Sequence, residues 1–309
     1  MTKQTLRHEV RGGARTPARR GVRVAVIPVP YHLGRKGIGM GLGPLRYLDA
    51  GAEAVLRRRG VEVQIRPTGR NGYRHSLAAI GAVNRALASQ VRAAVGSGEF
   101  PLVLGGNCNT CLGTLGGLSP ARVGIVWFDA HGDFNTPATS RRGFIDGMPL
   151  AIATGHCHRA LRKRIGCRDP IPEGWVVHVG SRALDREEGE RLRRSQVLLV
   201  PANELRRQGF RRALLPRLMA LRSRVREVYL HLDIDVLDPH QAPGVDFPAP
   251  NGLGVSEVQR AIQMIGRHFR IAAAALTAFN PRRDDDDKTL QAGLLLMQRI
   301  VVEAGKSLP

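Results

Sequence analysis

The chain has 309 residues, 43% of them hydrophobic, and a formal charge of +21. That length can bury a large core, but no run approaches the roughly 18 apolar residues of a membrane span, and four cysteines in such a chain form no disulfide framework. The charge does not announce a nucleic-acid binder. Only five of the 47 cations are lysines, aromatics are 5% of the residues, and the arginines are spread through helical segments such as Arg57-Arg58-Arg59 and Arg206-Arg207 rather than set beside stacking platforms. Solvated helix faces, or steering of an anionic ligand or polymer, account for them.

Residues 1–20 are basic with no apolar stretch behind them, which reads as a disordered arm and not a secretory signal. Val22 to Val29 reads as a strand, Leu45 to Arg59 as a helix and Val61 to Ile65 as a second strand. Leu77 to Val95 has apolar residues at three- and four-residue spacing, a helix, and leads into a strand from Pro101 to Leu104. Later strands are expected at Val123 to Phe128, Trp175 to Val179, Val197 to Val200, Glu227 to Leu232 and Ile271 to Leu276. Helical patterns lie between most of them, notably Val255 to Arg267 and Leu290 to Val301. Alternation of this kind predicts one α/β domain over 21–309, a parallel sheet covered on both faces.

Three polar motifs follow directly after predicted strands: Gly105-Gly106-Asn107-Cys108, Asp129-Ala130-His131-Gly132-Asp133 and Asp233-Ile234-Asp235-Val236-Leu237-Asp238. Ligands of open α/β sheets gather at the carboxyl ends of strands, so the three are expected to converge. In extended backbone every second side chain points the same way, which would put Asp129, His131 and Asp133 on one side and Asp233 with Asp235 on another. Such a bunch repels itself unless a cation holds it. Carboxylates with one imidazole suit a divalent metal, manganese above all, better than a structural zinc, and point to two-metal hydrolysis.

These motifs, together with Gly39 to Leu45, Ala242-Pro243-Gly244 and Asn280-Pro281, resemble the arginase (ureohydrolase) family. In motif the chain is most similar to its arginase and N-omega-hydroxy-L-arginine amidinohydrolase branch. The resemblance implies a three-layer α/β/α sandwich around a parallel, roughly eight-stranded sheet, and two manganese ions per chain. On that pattern Asp129 and Asp233 touch both metals, His131 and Asp235 complete one site, and Asp133 with Cys108 the other. A metal-bridging hydroxide attacks the amidine carbon of a guanidino, N-hydroxyguanidino or related compound, and Asp133 passes a proton to the departing amine. Asn135 and Asp185 match residues that hold the amino-acid end of a small-molecule substrate; alternatively Asn135 shapes its own turn and Asp185 caps a helix from Arg186 to Arg194. The family further implies trimers or hexamers, and the reading places the protein in a reducing cytoplasm, with no membrane partner; nucleic acid is disfavoured, and an acidic polymer bound through the arginines is kept as a rival.

Four positions depart from the family pattern. Cys108 replaces a histidine ligand; it either ligates metal or is an inert thiol beside a weak or empty site. As part of Cys108-Asn109-Thr110-Cys111 at a helix start it is also a candidate for a depressed thiol pKa. Asp146 stands where arginases carry a histidine proton shuttle; it can relay protons only with a pKa raised from about 4, and otherwise it only helps position substrate. Ala278 stands where the family has a guanidinium-gripping glutamate, so another acid compensates or the substrate is not an ordinary guanidinium. Arg142 could meet a substrate carboxylate or simply be solvated. These departures also motivate a rival, a degenerate relative that binds without turnover. The run Asp284 to Asp287 is read as opening the last helix, where negative charge complements the dipole.

Overall fold

The computed structural model describes residues 22–69, 76–119, 121–140 and 143–306; the basic arm and Arg142 lie outside them. In chain order the strands are β1 (Arg23–Val29), β2 (Tyr31–His32), β3 (Arg35–Lys36), β4 (Glu62–Ile65), β5 (Phe100–Gly105), β6 (Val123–Phe128), β7 (Val176–Val179), β8 (Leu198–Val200), β9 (Glu227–Asp233) and β10 (Arg270–Thr277). The helices are α1 (Gly43–Asp49), α2 (Ala52–Arg57), α3 (Leu77–Gly96), α4 (Thr110–Leu118), α5 (Pro149–Ala153), α6 (Arg159–Ile165), α7 (Arg186–Arg194), α8 (Ala202–Gln208), α9 (Phe210–Arg222), α10 (Val255–His268) and α11 (Lys288–Gly305). Among the described residues no helix is long and apolar enough to cross a membrane.

Eight strands form one parallel sheet in the order β4-β1-β5-β10-β9-β6-β7-β8. Alternation along β1 shows the layering. Val24 and Val26 enter one core with Tyr47, Leu56 and residues of α9, α10 and α11. Ala25, Ile27 and Val29 enter the other with residues of α3, α4 and α5. The expected sandwich is therefore present, its central strands apolar on both faces because both faces are covered.

One expected element divides. The segment read as a single helix from Leu45 to Arg59 is α1 and α2, broken at Gly51, whose φ of 79° is left-handed. Glycine adopts that conformation without a Cβ penalty, and the apolar periodicity runs on across the break because both helices pack on the same core.

The topology places the chemistry. Strands β9 and β10 come last in the sheet but insert between β5 and β6. The carboxyl ends of β5, β10, β9 and β6 thus lie side by side, bringing together the loops after Gly105, Thr277, Asp233 and Phe128. Close approach at the first of these requires glycine: a Cβ on Gly106 would collide with the carbonyl oxygen of Tyr31 and come within 2.9 Å of Gly41 Cα. Gly106→Ala is expected to cost about 3 kcal/mol as overpacking against backbone, read as a lower midpoint in urea.

Candidate metal centre

Regular strand ends where the chemistry begins. β6 stops at Phe128, and Asp129 follows with one carboxylate oxygen accepting the backbone N–H of His131 at 2.7 Å and the other the indole N–H of Trp127 at 3.0 Å. β9 ends at Asp233, whose Oδ1 accepts the N–H of Asp235 at 2.8 Å and caps a 3₁₀ turn over Ile234–Val236. Asp235 Oδ1 accepts the N–H of Ala130 at 3.2 Å, tying this turn to the β6 loop. From the β5 loop, the Cys108 thiol donates to Asp233 Oδ2 at 2.8 Å and lies 3.3 Å from Thr277 Oγ1.

Two groups of potential ligand atoms result, each lying within 4.8 Å: Cys108, Asp129 and Asp233, and Asp129, His131 and Asp235. Asp129 belongs to both. Asp133 lies in neither group, but it is buried, lines the same cavity, and its Oδ2 has no hydrogen-bond partner. These donors fit divalent metal: carboxylates predominate, one imidazole and one thiol are added, and an orphaned carboxylate oxygen in a buried site calls for a cation or a proton. Strand alternation is not what gathers them. Asp133 has a left-handed φ of 49° and Asp235 sits in the 3₁₀ turn, so the motifs converge through turns.

The electrostatics are those of crowded carboxylates. Burial pushes the Asp133 and Asp233 carboxyls well up, and their acidic neighbours push them further. Asp235 is raised by burial and Asp129, against the pull of His131. Burial opposes charge on Asp129 as well, yet its hydrogen bonds and proximity to His131 bring its pKa down. His131 is penalised by burial, but Asp235 at 3.0 Å and Asp129 at 3.4 Å drive it up to about 12. Behind the site, burial lowers His231 to about 3; it is therefore neutral at physiological pH, stacked on Trp127 and hydrogen-bonded through Nδ1 to the Tyr229 hydroxyl at 2.8 Å.

The thiols depart from expectation. Cys108 precedes α4 by two residues, where helix dipole alone would depress its pKa, but burial and then Asp233, Asp133, Asp129 and Asp146 raise it well above the ordinary value. Burial also raises Cys111. Both are free, and their environment is the opposite of the electropositive one that activates a redox thiol.

The centre opens into a cavity of about 580 Å³, the size of a small-molecule site. Cys108, Asp129, His131, Asp133, Asp233, Asp235, Asn135, Asp146, Asp185 and Ala278 all line it. Asn135 Nδ2 donates to Asp185 Oδ2 at 3.1 Å, and Asn135 Oδ1 accepts from the Thr139 hydroxyl at 2.8 Å; it thus braces its own turn and meets the cavity at once. Asp185 occupies the N-cap position of α7 without making a side-chain cap bond. Asp146 is raised to about 6, by burial first, although Asn109 and Asn107 donate hydrogen bonds that pull the other way.

Several lining residues lie outside the sequence motifs. Glu188 accepts the N–H of Phe134 at 2.9 Å and is raised by burial to about 7; its signal was its position three residues after Asp185. Asp246 and Phe247 follow the quoted Ala242-Pro243-Gly244, and Phe247 meets Phe144 edge-on at 5.6 Å. Arg182 spends its guanidinium on main-chain carbonyls, including those of Asp235 at 2.8 Å, Leu237 at 3.1 Å and Ala249 at 2.9 Å, and so fixes the Asp235 turn. The acidic run after Asn280 behaves as read: Asp284 accepts the N–H groups of Thr289 and Leu290 at 2.8 and 2.9 Å at the start of α11.

A family model described as the arginase family matches residues 22–302. The chain belongs to the arginase family. It is 36% identical over 289 residues to an arginase of Bacillus caldovelox, covering 89% of this chain and 96% of that one. The crystal structure of an arginase from Bacillus cereus superposes with a TM-score of 0.83 at 33% identity, over 90% of this chain and 98% of the other. The native structure of the Bacillus caldovelox arginase gives 0.82 at 34%, over 91% and 98%. Membership of the arginase family makes the chain a metal-dependent ureohydrolase, a hydrolase of amidino C–N bonds, and disfavours the reading of a relative without turnover.

Proposed function

We propose that this arginase-family member is a binuclear manganese amidinohydrolase whose substrate is a small guanidino, N-hydroxyguanidino or related amidine compound bearing an amino-acid end. The observation that carries the reading is the pair of ligand groups sharing Asp129 in one cavity at adjacent strand ends. In the proposed assignment Cys108, Asp129 and Asp233 would hold one ion with Asp133, and Asp129, His131 and Asp235 would hold the other with Asp233. Two such metals would supply a nucleophile at neutral pH by depressing the pKa of water.

The chain's own residues do the rest. Asp133 is the proton carrier: its Oδ2 is buried at the cavity lining with no hydrogen-bond partner in the protein, so it can take a proton and hand it to the leaving amine. Asn135 and Asp185, already hydrogen-bonded to one another, orient the amino-acid end, and Arg142 is a candidate for the substrate carboxylate. Phe144, Phe247, Val245 and Ala278 put apolar side chains on the cavity lining, and Ala278 leaves no carboxylate at that position to grip a guanidinium. A homo-oligomer in a reducing cytoplasm completes the proposal; the free cysteines are consistent with that compartment.

The experiment is a release screen for urea and hydroxyurea with the manganese-loaded protein on arginine, N-hydroxyarginine, agmatine, guanidinobutyrate and guanidine. Turnover is expected on a substrate with an amino-acid end. Silence on all five defeats this substrate class.

A further inference from the structure

We infer that Asp146 is a positioning residue that clamps the Cys108 loop, and not a group that relays protons. The inference rests on the proposed role of Cys108 as a metal ligand.

Three donors converge on this one buried carboxylate. Asn107 Nδ2 donates to Oδ2. Asn109 donates twice to Oδ1, from its backbone N–H at 3.0 Å and its side-chain amide at 3.1 Å. Cys108 lies between the two asparagines, so both of its chain neighbours are bolted to the same acid. Asn107 cannot turn its amide over freely, because its Oδ1 accepts the N–H of Leu33 at 2.6 Å. Asn109 Oδ1 in turn accepts from Asn84 Nδ2 at 3.2 Å, and Asn84 Oδ1 accepts the N–H of Gly113 at 2.8 Å. Asn84, Asn107, Asn109 and Asp146 are all buried.

This is a closed polar network with directional requirements, the kind that fixes one geometry when fully satisfied and is costly when broken. It reaches the other side of the metal centre too. The 3₁₀ turn carrying Asp146 (Ile145–Gly147) holds Asn135 through the Gly147 carbonyl at 3.0 Å, and the carbonyl of Asp133 accepts the N–H groups of Leu150 and Ala151 just beyond it. The Asp146 carboxylate therefore ties the Cys108 loop to the segment whose backbone holds Asp133 and Asn135. A relay needs an acid that can change partners during turnover, whereas each oxygen of Asp146 is already engaged by a fixed donor.

The donor directions suggest a decisive test. Asp146 accepts and Asn107 donates; exchanging the two side chains reverses that one hydrogen bond and leaves the others intact. Asn107→Asp alone sets two carboxylates against each other, and Asp146→Asn alone sets two amide N–H₂ groups against each other. In the double variant that combines Asn107→Asp with Asp146→Asn, the carboxylate at position 107 still accepts the N–H of Leu33, and the amide at position 146 keeps an oxygen for Asn109.

Cobalt(II) is the probe, titrated into metal-free protein and followed by the sulfur-to-cobalt charge-transfer band. Wild type is expected to develop the band and Cys108→Ala to lack it. Asp146→Asn and Asn107→Asp should each weaken cobalt binding by roughly 10- to 100-fold, the range for residues that orient ligands, and the exchanged double variant should recover most of that affinity and the band. Because the double variant is expected to fold, misfolding of a single variant does not shield the idea. Two results overturn it: cobalt affinity unchanged in Asp146→Asn, or no recovery in the exchange. A wild-type protein that binds cobalt without the band sinks the Cys108 ligation first, before any Asp146 variant is made.

Discussion

Asp129→Ala should abolish amidine hydrolysis, by about 10³-fold or more, and should release both metal ions. Removing one preorganised electrostatic group in an active site already costs about 10²- to 10³-fold, and here the same side chain belongs to both ligand groups. Cys108→Ala is expected to differ in kind. Cys108 belongs to one group only, so about one metal per chain should remain. Elemental analysis of the purified variants separates the two. Full metal retention in Asp129→Ala, or loss of both ions in Cys108→Ala, contradicts the shared-ligand arrangement. A far-ultraviolet circular dichroism spectrum matching that of the wild type serves as the control for folding in both variants.

Chelation should lower the melting temperature by roughly 10 °C at neutral pH. A ligand at about 100 times its Kd stabilises the folded state by about 2.7 kcal/mol per site, and chains somewhat shorter than this one shift by about 2–4 °C per kcal/mol. The pH dependence carries a sign. Asp133, Asp233 and Asp235 have folded pKa values above their ordinary carboxylate range, and Asp146 and Glu188 are raised to about 6 and about 7. A raised carboxyl binds its proton more tightly when folded. Its contribution is complete below the unfolded pKa near 4 and disappears as pH rises through the folded one. Metal-free protein should therefore lose stability between about pH 4 and pH 7. Metal binds the deprotonated ligands and opposes that loss, so the gap between loaded and chelated melting temperatures should widen as pH rises. A gap that is flat across this range would show that Asp133, Asp233 and Asp235 do not hold the metal.

The chemistry was legible in the sequence because its residues are local. Asp129, His131 and Asp133 lie within five positions, Asp233 and Asp235 within three, and few structures tolerate such a density of charge without a cation. The strands were legible for a related reason: both faces of the sheet are covered, so β5, β6 and β9 are short apolar runs ending where polar residues begin. Other features had no local signature. The division of α1 from α2 depends on the conformation of Gly51, while the apolar periodicity passes through it unchanged.

Residue types and spacing alone determined that this chain builds a parallel α/β sheet with a cluster of carboxylates, a candidate metal centre, at its strand ends. They could do so because alternation and ligand clustering are properties of neighbours in sequence. Only the tertiary structure decided how the motifs meet. It inserted β9 and β10 between β5 and β6, which set Cys108 against Asp233 across 125 positions. It made the Asp146 carboxylate the acceptor for Asn107 and Asn109. It also raised the Cys108 thiol that helix position alone would have lowered. Hydrogen-bond partners and burial are set by residues distant in sequence, and they decide what a carboxylate or thiol can do.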